Sequence, residues 1–306
     1  MESKAIMEKY LVCPFSRKSL RLMSEKELNK VNSLIKNEQL FFYAGAPLNF
    51  DLEAAFVTEN QLYIYPIING IVFLQKQTAI VANNRTQNPL KRISQVQIDA
   101  FYRAHGFGEE NETIIASKAL RSNKLSDSQL LELAALLPQK GHCFLSIATH
   151  DVDSIHNLIY RLKYTHHFHM DFSLSRLVAI QNDLPKSTIL ILGDMNFLPF
   201  NTDAIDGLFS FDYINDYEKE IQTGAYDELK RCLNNDGVSI MLYDKEKPLH
   251  SKNQLKSDQL SKKALAVVAP WMKVKLPSII FHPISDVSSN GSDTIVAKAS
   301  LGQQLS

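Results

Sequence analysis

Two aspartates stand where a side chain could meet a ligand: Asp171, in HMDFSLS, and Asp194, in ILILGDMNFLPF. Each closes a short apolar run. Ligands of α/β sheets bind beyond the carboxyl ends of the strands, where an acid can accept hydrogen bonds from hydroxyls or amines. An acid in that place also escapes burial without a partner. A further apolar run, Ile205 to Ile214, carries Asp212 and Tyr213 near its end and Asp216 just beyond it. His142, His150, His156, His166, His167 and His169 make up six of the nine histidines. Imidazole suits zinc, iron or nickel. Strand alternation, however, puts only His167 and His169 on one face, with no acid at ligand spacing. The expectation is therefore no metal site.

These acids need a scaffold that presents strand ends. Cys143 to Thr149, Phe168 to Phe172, Thr188 to Leu192, Ile205 to Phe211 and Val238 to Tyr243 read as strands. Ile155 to Tyr164, Ser175 to Leu184 and Tyr217 to Leu233 read as helices between them, and Ser126 to Leu137 as a capped helix ended by Pro138. Strands alternating with helices predict a mostly parallel, doubly wound α/β sheet. Lys275 to Phe281 and Thr294 to Lys298, across a Ser-Ser-Asn-Gly-Ser turn, predict an antiparallel hairpin at the end. Residues 1–76 read as a small α+β unit of their own. Tyr10 to Val12 is a strand candidate, and Ser24 to Glu27 forms a capping box ahead of Leu28, Val31, Leu34 and Ile35. Asn69-Gly70 turns a hairpin between Leu62–Ile67 and Ile71–Leu74. Residues 77–93 read as a polar linker, and 94–306 as the second domain.

The 306 residues, 45% hydrophobic and 22% charged, suit a globular chain with a sizeable core. A formal net charge of +0 provides no global field toward nucleic acid or anionic membrane, so neither partner is expected. Cys13, Cys143 and Cys232 are too far apart for a disulfide framework and read as reduced thiols. No secretory signal or membrane-length apolar stretch is evident, which points to the cytoplasm.

In order and spacing, these motifs resemble the class I S-adenosylmethionine-dependent methyltransferases over roughly residues 94–300. The resemblance implies a Rossmann-like, doubly wound, seven-stranded sheet with a C-terminal antiparallel hairpin. MDFSLSRLVAIQ is similar to the second strand, where Asp171 would hold the cofactor ribose. ILGDMNFLPF is similar to the third strand and its GD-x-x-x-LPF turn, where Asp194 would accept from the adenine amine and Met195 would flank the ring. LKRCLNNDGVSIMLYD resembles the turn into the fifth strand. Asp212, Tyr213 and Asp216 would lie nearest the transferred methyl. The D-x-G-x-G loop of the family corresponds to Ser146-Ile147-Ala148-Thr149-His150, with Ala148 and His150 in place of glycines. Glycine serves there because backbone approaches the cofactor's methionine moiety. Alanine is a small change if the backbone angle stays negative. His150 is open to three readings: general base, plug, or ligand to something other than the usual cofactor. Phe101, Tyr102 and Phe107 resemble an aromatic segment that lids the pocket in related fusions, or they pack as an ordinary helix.

YLVCPFSRKSL and YPIINGIVFL resemble the small zinc-ribbon domain of the tRNA-methyltransferase activator family. Cys13 remains of the ligand set and Ser16 stands where a second cysteine would be. A structural zinc needs about four thiolate or imidazole ligands, so a ribbon held by packing, without zinc, is expected. Two functions remain open. One is methyl transfer from S-adenosylmethionine to a small molecule or protein. The other is a catalytically inactive methyltransferase-fold binding or scaffolding protein.

Overall fold

The computed structural model describes residues 2–82, 94–104, 127–148, 152–213, 219–244, 278–283 and 294–300. The chain divides into two compact units, and the five segments after Arg121 belong to the second and the first in alternation. Unit 1 holds Met1–Arg121, Met170–Asn182 and Ile189–Asn201; unit 2 holds Ser122–His169, Asp183–Thr188 and Thr202–Ser306.

Unit 1 opens with helix α1 (Glu2–Tyr10), where a strand was expected at Tyr10 to Val12. Leu11 and Val12 form only single bridges, to Phe200 and Ser19. The partners that fix these residues lie far off in sequence and offer one pairing each. β1 (Leu20–Leu22), β2 (Ala54–Thr58) and β3 (Tyr63–Ile68) then form an antiparallel meander. Asn69 (φ 50) and Gly70 (φ 79) turn β3 into β4 (Ile71–Phe73). Both turn residues have positive φ, the conformation that an Asn-Gly hairpin turn supplies at low cost. Helix α2 (Glu25–Lys36) begins at Ser24 in the expected capping box, Ser24 accepting from Glu27 N and Glu27 accepting from Ser24 N. Its Val31 and Ile35 face a core of Phe42, Ala55, Val57, Ile64 and Ile80. β5 (Ile80–Val81), inside the polar segment after residue 76, pairs with β3.

From α3 (Gln95–Ala104), Phe101 enters the same core, its ring 5.0 Å from that of Phe42, so here the pair Phe101 and Tyr102 packs as a helix face. β4 continues in parallel onto β8 (Thr188–Leu192), with Ile71, Val72 and Phe73 opposite Leu190, Ile191 and Leu192. Leu74 N donates to Leu192 O at 2.8 Å, extending that ladder.

Unit 2 contains α4 (Asp127–Leu136), β6 (Lys140–Ile147), α5 (Val152–Arg161), most of β7 (Lys163–Asp171), β9 (Ile205–Tyr213), α7 (Lys219–Cys232) and β10 (Leu233–Asp244). β6, β9 and β10 run parallel, Phe144 opposite Gly207 and Ile240 opposite Phe209. The expected terminal hairpin is present: β11 (Ser278–Pro283) pairs antiparallel with β12 (Thr294–Ser300), which pairs antiparallel with β10. β7 starts at Lys163, earlier than the apolar pattern suggested. Lys163 N donates to Gln139 O at 3.0 Å, and Tyr164, Phe168 and Met170 are buried while Lys163 and Thr165 are exposed. Glycines sit where rings pass: a Cβ on Gly207 would lie 2.8 Å from Tyr164 Cζ. Asp206 ties the start of β6, its Oδ2 accepting from His142 N and Cys143 N at 2.7 Å each, while the Asn234 amide donates to its Oδ1.

Both units are therefore mixed α/β structures. Among the described residues, no helix is long and apolar enough to cross a membrane.

Candidate functional site

The two acid-tipped strands end side by side in unit 1. Gly193 N, just past β8, donates to Asp171 O at the end of β7, at 2.9 Å. The Gln75 amide donates to Phe172 O at 2.9 Å and to Gly193 O at 3.3 Å. Gln75 is buried, so it fastens both strand ends from the neighbouring chain segment. A Cβ at Gly193 would lie 2.8 Å from Met170 Cγ, so a larger residue there would displace the methionine side chain.

Asp194 is partly buried and extended (φ -131, ψ 132), and it caps a 3-10 turn over Met195–Phe197. Its Oδ1 accepts from Asn196 N at 2.8 Å, and its carbonyl accepts from Phe197 N at 3.1 Å. Met195 is buried. The turn is pinned from outside by Arg17, whose Nη1 donates to Leu198 O at 2.9 Å, and by Val12 N, which donates to Pro199 O at 3.0 Å.

Asp171 is engaged by its own chain. It is 1% exposed, and its Oδ1 accepts from Ser173 N at 2.7 Å and from Arg176 Nε at 2.9 Å. Arg176 Nη2 lies 2.7 Å from the same oxygen. Arg176, on helix α6 (Leu174–Ile180), is itself buried and stacks over the Phe172 ring, 4.2 Å from its centroid. A charge pair this deep persists when its geometry is good and hydrogen bonds serve the remaining atoms. Arg176 and Gln75 were not evident as site residues from the sequence. An arginine five residues after the strand-end acid, separated by a Ser cap and the first turn of a helix, was the available signal for the first.

The loop after β6 belongs to unit 2. Ala148 opens it with φ 46 and is fully buried. The angle is positive, contrary to the condition under which alanine would be a small change, and it is the region that favours glycine. Ser146 is buried within the strand, its hydroxyl 2.8 Å from His169 Nδ1 and 3.4 Å from Phe168 O. Burial and the neighbouring His166 push the His167 imidazole down from its ordinary value. Among the described residues, no group of three or more His, Cys, Asp or Glu side chains could hold a metal ion. Asp212 and Tyr213 lie at the end of β9, where only their backbone is described. Phe107, His150 and Asp216 lie outside the described residues.

Cys13 opens a tight turn. Ser16 N points at its Sγ at 3.4 Å, Arg17 N donates to its carbonyl at 2.9 Å, and Arg17 takes φ 58. The Tyr65 hydroxyl lies 3.1 Å from the sulfur. Burial, then the neighbouring Cys13, push the Tyr65 phenol far above its ordinary value, which keeps it neutral.

No family model and no curated protein matches the chain. Several solved structures resemble it at low identity. The TehB-like SAM-dependent methyltransferase of Corynebacterium glutamicum shares 12% identity, covering 57% of this chain and 87% of its own, with a TM-score of 0.37. The PH0226 protein of Pyrococcus horikoshii shares 14%, covering 69% and 100%, with a TM-score of 0.38. The S-adenosylmethionine dependent methyltransferase of Mesorhizobium loti shares 16%, covering 37% and 52%, with a TM-score of 0.32. The chain thus spans about half the length of this last protein and of others it matches.

Proposed function

We propose that this chain is an S-adenosylmethionine-dependent methyltransferase-like protein on a seven-stranded, Rossmann-like sheet. The observation that carries the reading is the fastening of Asp171 and Asp194 at adjoining strand ends, through Gly193 N and the Gln75 amide. The sequence motifs around both acids are those whose resemblance suggested the family. Asp194 would accept from the adenine amine, Met195 would flank the ring, and Asp171 would face the ribose. Ser146, Ala148 and His150 would form the loop for the methionine moiety. The cofactor, when bound, supplies an electrophilic methyl on a sulfonium. The chain's task is then alignment rather than acid or base chemistry. Asp212, Tyr213 and Asp216 are the residues we place nearest the acceptor, a small molecule or a protein. Residues 1–76 would be an activator-like ribbon without zinc, joined through 77–93 to the methyltransferase-like part, 94–306, in a cytoplasmic protein.

A second reading, an inactive binding or scaffolding protein, draws support from the Arg176 guanidinium already seated on the Asp171 carboxylate. It also draws support from the left-handed Ala148. Calorimetric titration with S-adenosylmethionine and S-adenosylhomocysteine separates the two. Binding that Asp194→Ala abolishes, without loss of folding, is the expected result. Absence of heat at millimolar ligand would sink the methyltransferase reading in favour of the scaffold.

A further inference from the structure

Unit 1 contains a ring cluster that neither reading uses. Lys76 Nζ lies over the faces of three aromatic rings, 5.3 Å from the Phe15 centroid, 5.5 Å from Tyr43 and 5.6 Å from Phe197. Phe15 also meets Tyr43 at 4.9 Å and stacks on Tyr63 at 4.9 Å and 14°. We propose that Phe15, Tyr43 and Phe197 form a binding site for a methylated ammonium cation, with Lys76 as a displaceable occupant. This inference does not rest on the methyltransferase reading.

Three arguments carry it. The first is charge. Ring faces attract a cation through their quadrupoles, and among the described residues no carboxylate forms an ion pair with Lys76. The second is size. A contact atom rests about 3.5–4.0 Å from a ring, and a C–N bond adds about 1.5 Å. A nitrogen with one methyl aimed at a ring therefore sits about 5.0–5.5 Å from it, a distance comparable with the 5.3–5.6 Å between Lys76 Nζ and the three ring centroids. A bare ammonium in direct contact would sit nearer.

The third argument is preorganisation, because each ring is carried by a backbone turn with hydrogen bonds of its own, independent of the lysine. Phe15 stands in the Cys13 turn. Tyr43 N donates to Ala79 O at 2.7 Å, beside a turn in which Gly45 takes φ 92. Phe197 is held in the turn that Asp194 caps. Tyr43 is 44% exposed and forms the open side of the cluster. A lysine needs no such frame to be solvated; a cation site does.

The test is calorimetry on the full chain with choline and with 3,3-dimethylbutan-1-ol, its neutral isostere. A peptide carrying N-trimethyllysine is compared with its unmodified form. The wild type is expected to bind choline and not the isostere. Lys76→Ala should bind choline about tenfold more tightly, since a tethered ammonium at millimolar effective concentration no longer competes. Adding Tyr43→Ala to Lys76→Ala should remove the binding, with far-UV circular dichroism reporting an intact fold. A trimethyllysine peptide that binds tighter than choline marks a macromolecular source, and equal affinity marks a small molecule. Choline binding no better than the isostere overturns the proposal. So does binding by Lys76→Ala that the wild type lacks, because the cluster is then only a seat for Lys76.

Discussion

Replacing Arg176 by methionine keeps most of its apolar volume beside Phe172 and removes the guanidinium from the Asp171 carboxylate. Arg176 and Asp171 are 6% and 1% exposed, and both guanidinium contacts fall on one oxygen, at 2.9 and 2.7 Å. Breaking a pair at that depth costs about 3–5 kcal/mol, mostly because a carboxylate stays buried without its counter-charge. Asp171→Asn with Arg176→Met removes that charge while leaving an oxygen for Ser173 N. The double variant should therefore recover most of the loss, despite carrying two substitutions. In urea unfolding followed by far-UV circular dichroism, the single variant should lose roughly 1–2.5 M in midpoint for an m-value of ~2–3 kcal/mol/M. Amide exchange in residues 174–180 should rise with it. The reasoning is refuted if Arg176→Met costs less than about 1 kcal/mol, or if the double variant is additive, since contacting residues that share a charge network must couple.

Two further outcomes are expected. Gly207→Ala should destabilise unit 2 by about 1–3 kcal/mol in thermal unfolding, because its Cβ would lie 2.8 Å from Tyr164 Cζ and 3.2 Å from Phe144 Cδ2; a change within error would mean that those rings yield. The Glu27 carboxyl is held down to about 2, first by the Arg21 hydrogen bond and then by the Ser24 backbone and hydroxyl. Its folded value lies below its unfolded one, so its stabilisation is complete above about pH 5 and is lost as pH falls toward 2. The stability gap between wild type and Glu27→Gln should close across that window.

Local signals were legible in the sequence wherever the cause was local. Ser24 and Glu27 lie within one turn of each other and cap each other directly. Asn69-Gly70 carries its own φ preference, so the β3–β4 turn could be placed by residue type alone. Acid-tipped strand ends at Asp171 and Asp194 followed from apolar runs, and both lie where the pattern put them. The failures have distant causes. Leu11 and Val12 have the composition of a strand, but Phe200 and Ser19 offer one bridge each, and the residues before them wind into α1. The start of β7 at Lys163 depends on Gln139, and the neutral partner of Cys13 sits 52 residues away at Tyr65. Arg176 on Asp171 was hidden for another reason: a strand-end acid and a helix-borne base meet only if the turn between them has one particular shape.

The parallel pairing of β4 with β8 bears on how the chain comes into being. Residues 71–73 emerge from the ribosome about 120 residues before their partners at 190–192. At roughly 5–20 residues per second, β4 stands with a bare edge for ~6–24 s. Its sequence, Ile71-Val72-Phe73, is wholly apolar and buried in the finished protein, the kind of edge that recruits a foreign strand. The early part of the chain is thus born incomplete, and it becomes safe from intermolecular pairing only when the late segment arrives to close it.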